Sequence, residues 1–168
     1  MRIVVLGAFD LSTYTIVHVI ISLIAIVAGF IVVFGMLGSN RMQGWTAVFL
    51  ATAILTSLTG FGFPFDHVLP SHVVGAISLV VLLVAILAYY QFRLAGPWRW
   101  IYVVSTIVAL WFNVFVLIVQ AFRKISWLTP LAPTQAEPPF QVAQGAALAL
   151  FVVLGILAAR KFHPPAAG

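Results

Sequence analysis

The chain has no cysteine, which excludes disulfides, zinc-thiolate sites, iron-sulfur ligation and thiol nucleophiles. Charge is almost as scarce. Only 7% of the 168 residues are Asp, Glu, Lys or Arg, and the acids are just three, Asp10, Asp66 and Glu137. A soluble domain carries roughly a quarter charged residues, so this chain has too few to cover a water-exposed surface. The acids are too far apart in sequence to suggest a catalytic carboxylate pair, and Ser71 beside His72 lacks a nucleophile elbow. No glycine-rich phosphate loop follows a strand either. These absences point away from an enzyme, and no catalytic residue is assigned.

Apolar side chains are abundant instead. They make up 64% of the residues and the mean hydropathy is +1.19, the composition of an integral membrane protein. Apolar length and breakers place five spans, at about residues 14–37, 45–63, 71–92, 98–122 and 140–159. Each is near the ~20 residues that a helix needs to cross a hydrocarbon core of about 30 Å. The breakers are the small and polar run after Leu37, Pro64, Pro70, Gly96-Pro97, and the Pro138-Pro139 pair. The expected fold is an all-α, five-transmembrane-helix bundle forming a single domain over residues 1–168. The first run exceeds the roughly 7–15 residues of a signal-peptide core, so it is read as retained. Residues 3–9 are apolar but too short to cross, and are expected at the interface.

The formal charge of +5 does not imply a nucleic-acid partner, because the basic residues stand singly or in pairs at span ends, where they anchor a chain in its bilayer. Arg2, Arg123 and Lys124 fall on one side, against Arg41, Arg93, Arg99, Arg160 and Lys161 on the other. The excess normally faces the cytoplasm, which puts the N-terminus outside and the C-terminus inside.

The polar residues are distributed just as unevenly. Given five spans, the N-terminus and the second and fourth loops share the outer side, and they bring all three acids, His18, His67, His72, Gln120, Gln141 and Gln144 towards it. That mouth is the candidate site. His18, His72, Gln120, Gln141 and Gln144 are the expected ligand- or cofactor-binding residues. A quinone or lipid would set its head group among them and its tail among Phe, Leu and Val. A b-type haem would need His18 and His72 as axial ligands, with Ser22, Gly75 and Ala76 making room. Asp66, His67 and His72 compose a possible divalent metal set, although no helical ligand spacing accompanies them. For each of these residues the plainer role is capping or interface solvation.

Within the spans, small and polar residues recur at helical spacing and mark faces turned to other helices: Thr15, His18, Ser22, Ala25 and Gly29 on the first, Gln141, Gln144, Gly145, Leu148, Val152, Gly155 and Ala159 on the last. Asn113, in the middle of the fourth span, must satisfy its amide, and Thr52 or Thr56 is the expected partner. Four prolines between Pro130 and Pro139 predict an extended connector or lid, with Glu137 pairing to Arg123 or Lys124.

The segments Trp98-Arg-Trp-Ile-Tyr-Val-Val, Asn113-Val-Phe-Val-Leu-Ile-Val-Gln-Ala-Phe122 and Leu131-Ala-Pro-Thr-Gln-Ala-Glu-Pro-Pro-Phe140 resemble a group of small multipass bacterial inner-membrane proteins of unassigned function. The similarity covers mainly residues 57–145 and implies a bacterial inner-membrane location. The functional expectation is a binding or accessory membrane protein, as a subunit of a larger complex or a homo-oligomer. A small redox protein holding haem b or quinone at the same residues is the alternative from a second class, and an oligomeric transporter or channel is the third.

Overall fold

A computed structural model describes residues 11–63 and 70–164. Among these the chain is helical and carries no strand. The elements are α1 (Leu11–Leu37), α2 (Gln43–Gly60), α3 (Pro70–Ile86) extended by a π-helical turn (Leu87–Gln91), α4 (Trp98–Lys124), a 3-10 turn (Thr129–Leu131) and α5 (Pro138–Lys161). Four helical stretches are long and apolar enough to cross a membrane: Leu11–Leu37, His72–Gln91, Trp98–Lys124 and Pro138–Lys161. The protein is a membrane helical bundle.

The remaining helix, α2, has 18 residues, five of them Ser or Thr. These are satisfied locally. Thr52 donates to the carbonyl of Val48 (2.7 Å), Thr56 to Thr52 (2.8 Å) and Ser57 to Ala53 (3.0 Å), each one turn back along the same helix. Helix α2 ends at Gly60 instead of Phe63, because the Phe61 and Gly62 amides close tight turns onto Leu58 (3.2 Å) and Thr59 (3.1 Å). At the other extreme α5 starts at Pro138, two residues earlier than the apolar run suggests. Proline suits the first helical turn, where its missing donor would have had no partner.

Successive helices run antiparallel. His18 of α1 meets Thr59 of α2, Ser57 of α2 lies beside Gly75 of α3, Tyr89 packs on Tyr102, and Phe122 of α4 touches Phe140 of α5. The start of α1, the end of α2, the start of α3, the end of α4 and the start of α5 therefore share one end of the bundle. Helix α4 is central, burying Tyr102, Val103, Thr106, Ala109, Leu110 and Asn113. Close approach to α1 depends on Gly29: a Cβ there would stand 2.6 Å from Leu110 Cδ1 and 2.9 Å from Phe49 Cε2. Small residues permit such contact in a solvent that gives apolar surface no reason of its own to associate.

The stripe expected on α5 is not the packed one. Phe151, Leu154, Ala158 and Ala159 are buried, while Leu148 and Val152 are exposed. The face is chosen by bulk rather than by small residues, with Phe151 against Phe30 at 5.8 Å. Ala159, buried, and Gly155, where a Cβ would stand 3.5 Å from Ile107, keep their expected roles. The end opposite His18 is tied by Thr46 to Tyr102 (3.1 Å), by Tyr89 donating to the Arg41 carbonyl (3.2 Å) and by Arg99 donating to the Phe162 carbonyl (2.6 Å) beyond the last turn of α5. Asp10, residues 3–9, Asp66 and His67 lie outside the described residues.

Candidate functional site

His18 lies two turns into α1. Its Nδ1 is 2.7 Å from Thr59 Oγ1, and that oxygen is in turn 2.6 Å from the carbonyl of Leu55. A carbonyl only accepts, so the single Thr59 proton is committed to Leu55 and the His18 Nδ1–H must donate to Thr59. The nitrogen left over is Nε2, carrying a lone pair.

Two phenylalanines from the segment after α2 flank the imidazoles. Phe63 meets the His18 ring edge-on at 5.1 Å and the Tyr14 ring likewise at 5.1 Å, while Phe61 stacks on His72 at 5.7 Å. Tyr14 donates to the Thr59 carbonyl (2.7 Å), which fastens the start of α1 to the end of α2. Gly75 lets Phe61 lie against α3, since a Cβ there would already be 3.4 Å from the Phe61 ring.

These groups enclose a cavity of about 110 Å³ between α1, α2, α3 and α4. His18, Ser57, His72, Ser78, Asn113 and Gln120 supply its polar wall, and Phe61, Phe63 and Phe112 its aromatic one. A second space of about 200 Å³ follows the α1/α4 seam, lined by Val19, Leu23, Ile26 and Leu117, with Thr15, Ser22 and Lys124 as its other polar groups. The two share His18, Phe63, Asn113, Val116 and Gln120. Three polar side chains thus form the partition between a mixed polar and aromatic chamber and a mostly apolar cleft.

Asn113 is buried, but not through the bond expected of it. Its Nδ2 donates to the carbonyl of Ala109 in its own helix (2.9 Å), and Thr52 and Thr56 likewise bond within α2. The Asn113 Oδ1 is consequently an acceptor on the cavity wall.

Of the residues singled out in the sequence, the fold brings His18, His72 and Gln120 to one cavity. It does not bring Gln141 or Gln144 there. Gln141 donates to the Ala136 carbonyl (2.7 Å) at the start of α5, and Gln144 donates to the Phe115 carbonyl (3.1 Å), linking α5 to α4. Among the described residues no three His, Cys, Asp or Glu side chains cluster as metal ligands. His18 and His72 do face one space, as haem ligation requires, yet a dry cavity of ~150 Å³ holds a benzene-sized ring. The chamber, at about 110 Å³, is smaller than that, and with Phe61 on His72 and Phe63 on His18 the site as folded does not fit a haem macrocycle.

The fourth loop is turned rather than wholly extended, and Glu137 does not make the pair expected with Arg123 or Lys124. Its carboxylate accepts from the Thr134 hydroxyl (2.8 Å) and amide (3.2 Å) and from the Ala136 amide (3.1 Å). The Thr134 hydroxyl foremost, with backbone amides behind it, holds the Glu137 carboxyl below the usual carboxylate range. Gln135 donates to the Val119 carbonyl (3.1 Å) and pins this loop to α4.

Thr59, Phe61, Phe63 and Ser78 escaped assignment from the sequence. Ser78 stands three residues after Gly75 and six after His72, a step-of-three series that is a readable signal. Thr59 continues the Thr52 and Thr56 spacing that marks an inward face, but nothing in the sequence pairs it with His18, 41 residues away. No family model, curated protein or solved structure matches the chain.

Proposed function

We propose that this is a binding protein of a bacterial inner membrane that takes up an amphipathic molecule from the bilayer, holding its head in the four-helix chamber and its tail in the α1/α4 cleft. The observation that carries the reading is the shared wall: His18, Asn113 and Gln120 border a polar and aromatic chamber on one side and a mostly apolar cleft on the other. Binding sites for such molecules are mostly apolar with a few convergent polar groups. In this reading α2 crosses the membrane with the other helices and the chamber faces outside, which the excess of basic residues at the far end supports. The histidines, amides and hydroxyls of the chamber's described wall support a binding role.

Val116 stands on both spaces, so Val116→Trp closes the passage between them with little effect on the packed core. Native mass spectrometry of protein released from lipid nanodiscs is expected to show a bound amphipathic molecule on the wild type and none on Val116→Trp, at matched melting temperatures. Equal occupancy of the two proteins would overturn the reading.

A further inference from the structure

The structure assigns the head group: a hydroquinone ring, held in preference to the corresponding quinone. This rests on the binding reading above and follows from where the protons in the wall have gone. Thr56 gives its hydroxyl proton to Thr52, Ser57 to Ala53, Asn113 one of its two amide protons to Ala109, and His18 its Nδ1 proton to Thr59. What these four side chains still offer is mainly lone pairs, on two hydroxyl oxygens, one amide oxygen and the His18 Nε2, against the single remaining N–H of Asn113.

A second observation is independent of those bonds. Ser78, in the same wall, is 3% exposed, and its Oγ has no hydrogen-bond partner among the described residues. A buried hydroxyl in that condition calls for a ligand group.

An acceptor-rich wall favours a ligand that donates. A head bearing only carbonyls would be served by Ser78, Gln120 and the second Asn113 N–H but would leave the larger set of lone pairs desolvated and unmatched. A cation would donate too, yet the described wall has no carboxylate to compensate it and Lys124 stands in the adjoining cleft. The neutral alternative is a hydroxyl, and the chamber fixes what carries it. Its Phe61, Phe63 and Phe112 walls suit one flat ring, which the chamber of about 110 Å³ admits together with the adjoining cleft of about 200 Å³. The tail follows the apolar side of the seam, past Val19, Leu23 and Leu117.

The test titrates the protein in nanodiscs with decylubiquinol and, separately, decylubiquinone under anaerobic conditions. Decylubiquinol is expected to bind roughly 10- to 100-fold more tightly, the worth of one buried acceptor satisfied or left bare. His18→Phe should bring the two affinities within about threefold, as expected if the imidazole lone pair is the main discriminator. As a readout independent of any variant, the ¹⁵N signal of His18 Nε2 should move on adding the quinol and stay on adding the quinone. Equal affinities, tighter binding of the quinone, or a preference untouched by His18→Phe would overturn the inference. If both forms bind equally and Val116→Trp abolishes both, the chamber still binds an amphipathic head and only its identity is wrong. Should neither form bind, with occupancy by a co-purified molecule indifferent to Val116→Trp, both readings fail.

Discussion

Replacing Thr59 with valine tests the geometry at its most consequential point. The substitution keeps the branched shape and removes one hydroxyl. Leu55 loses only a supplementary donor, since its carbonyl sits within a helix. His18 loses the sole acceptor that the structure gives its Nδ1–H, at 2.7 Å. Side-chain hydrogen bonds in membrane proteins contribute about 0.6 kcal/mol on average and at most about 1.7, so the melting temperature should fall slightly. Leaving the Nδ1–H buried and unpaired would cost about 1–3 kcal/mol, and the ring avoids that by moving its proton to Nε2. The cavity then faces a donor where it had an acceptor. Loss of one ligand hydrogen bond at ~1.4 kcal/mol weakens binding of a hydroxylated head about tenfold. Nitrogen-15 spectra of histidine-labelled protein distinguish a protonated from a bare ring nitrogen. Wild-type His18 should show protonated Nδ1 and bare Nε2, and Thr59→Val the reverse. A bare Nε2 in both proteins, or a protonated Nε2 in the wild type, would refute the proton assignment on which the chamber's chemistry depends.

Two further outcomes probe the scaffold. Gly29→Val places methyl groups where Leu110 and Phe49 already stand, both of them fully buried, so overpacking of about 1–3 kcal/mol should lower the melting temperature measurably in detergent; an unchanged melting curve would mean that α1, α2 and α4 do not meet at this residue. The Glu137 carboxyl is depressed in the folded loop, so its contribution is present above the unfolded carboxylate value of ~4.3 and is lost as pH falls through the lower folded value. Amide exchange at Thr134 and Ala136 should accelerate in that acid window relative to the rest of the chain, and Glu137→Gln should show the faster exchange already at neutral pH.

Much of the architecture was legible residue by residue. Apolar run length and the punctuation at Pro64, Pro70, Gly96-Pro97 and Pro138 locate the helices to within a few residues. The end of α2 was misjudged because Phe61 and Phe63 are as apolar as any span while the backbone has already turned. Packing faces were partly legible. On α4 Thr106, Ala109 and Asn113, small or polar residues at steps of three and four, are buried, since that helix has neighbours on several sides. On α5 the stripe was right only at Gly155 and Ala159, because in lipid an exposed face and a buried one have nearly the same composition, and Phe151 and Leu154 rather than Leu148 and Val152 turn inward. His18, His72 and Gln120 could be proposed as neighbours because their depth along the spans is a matter of counting. Gln141 and Gln144 share that depth, but their bonds to Ala136 and Phe115 keep them apart from the chamber.

By itself the sequence determined that this is a membrane helical bundle, and at which end its scarce polar groups gather. Hydropathy is a sum over neighbouring residues and needs no tertiary contact to be read. Only the tertiary structure decided what those groups can do. The proton on His18 is placed by Thr59, and the chamber beside it is closed by Phe61 and Phe63 folding back over α1 and α3. Donor and acceptor roles at a histidine depend on which partner stands within hydrogen-bond reach, and that partner arrives from another helix.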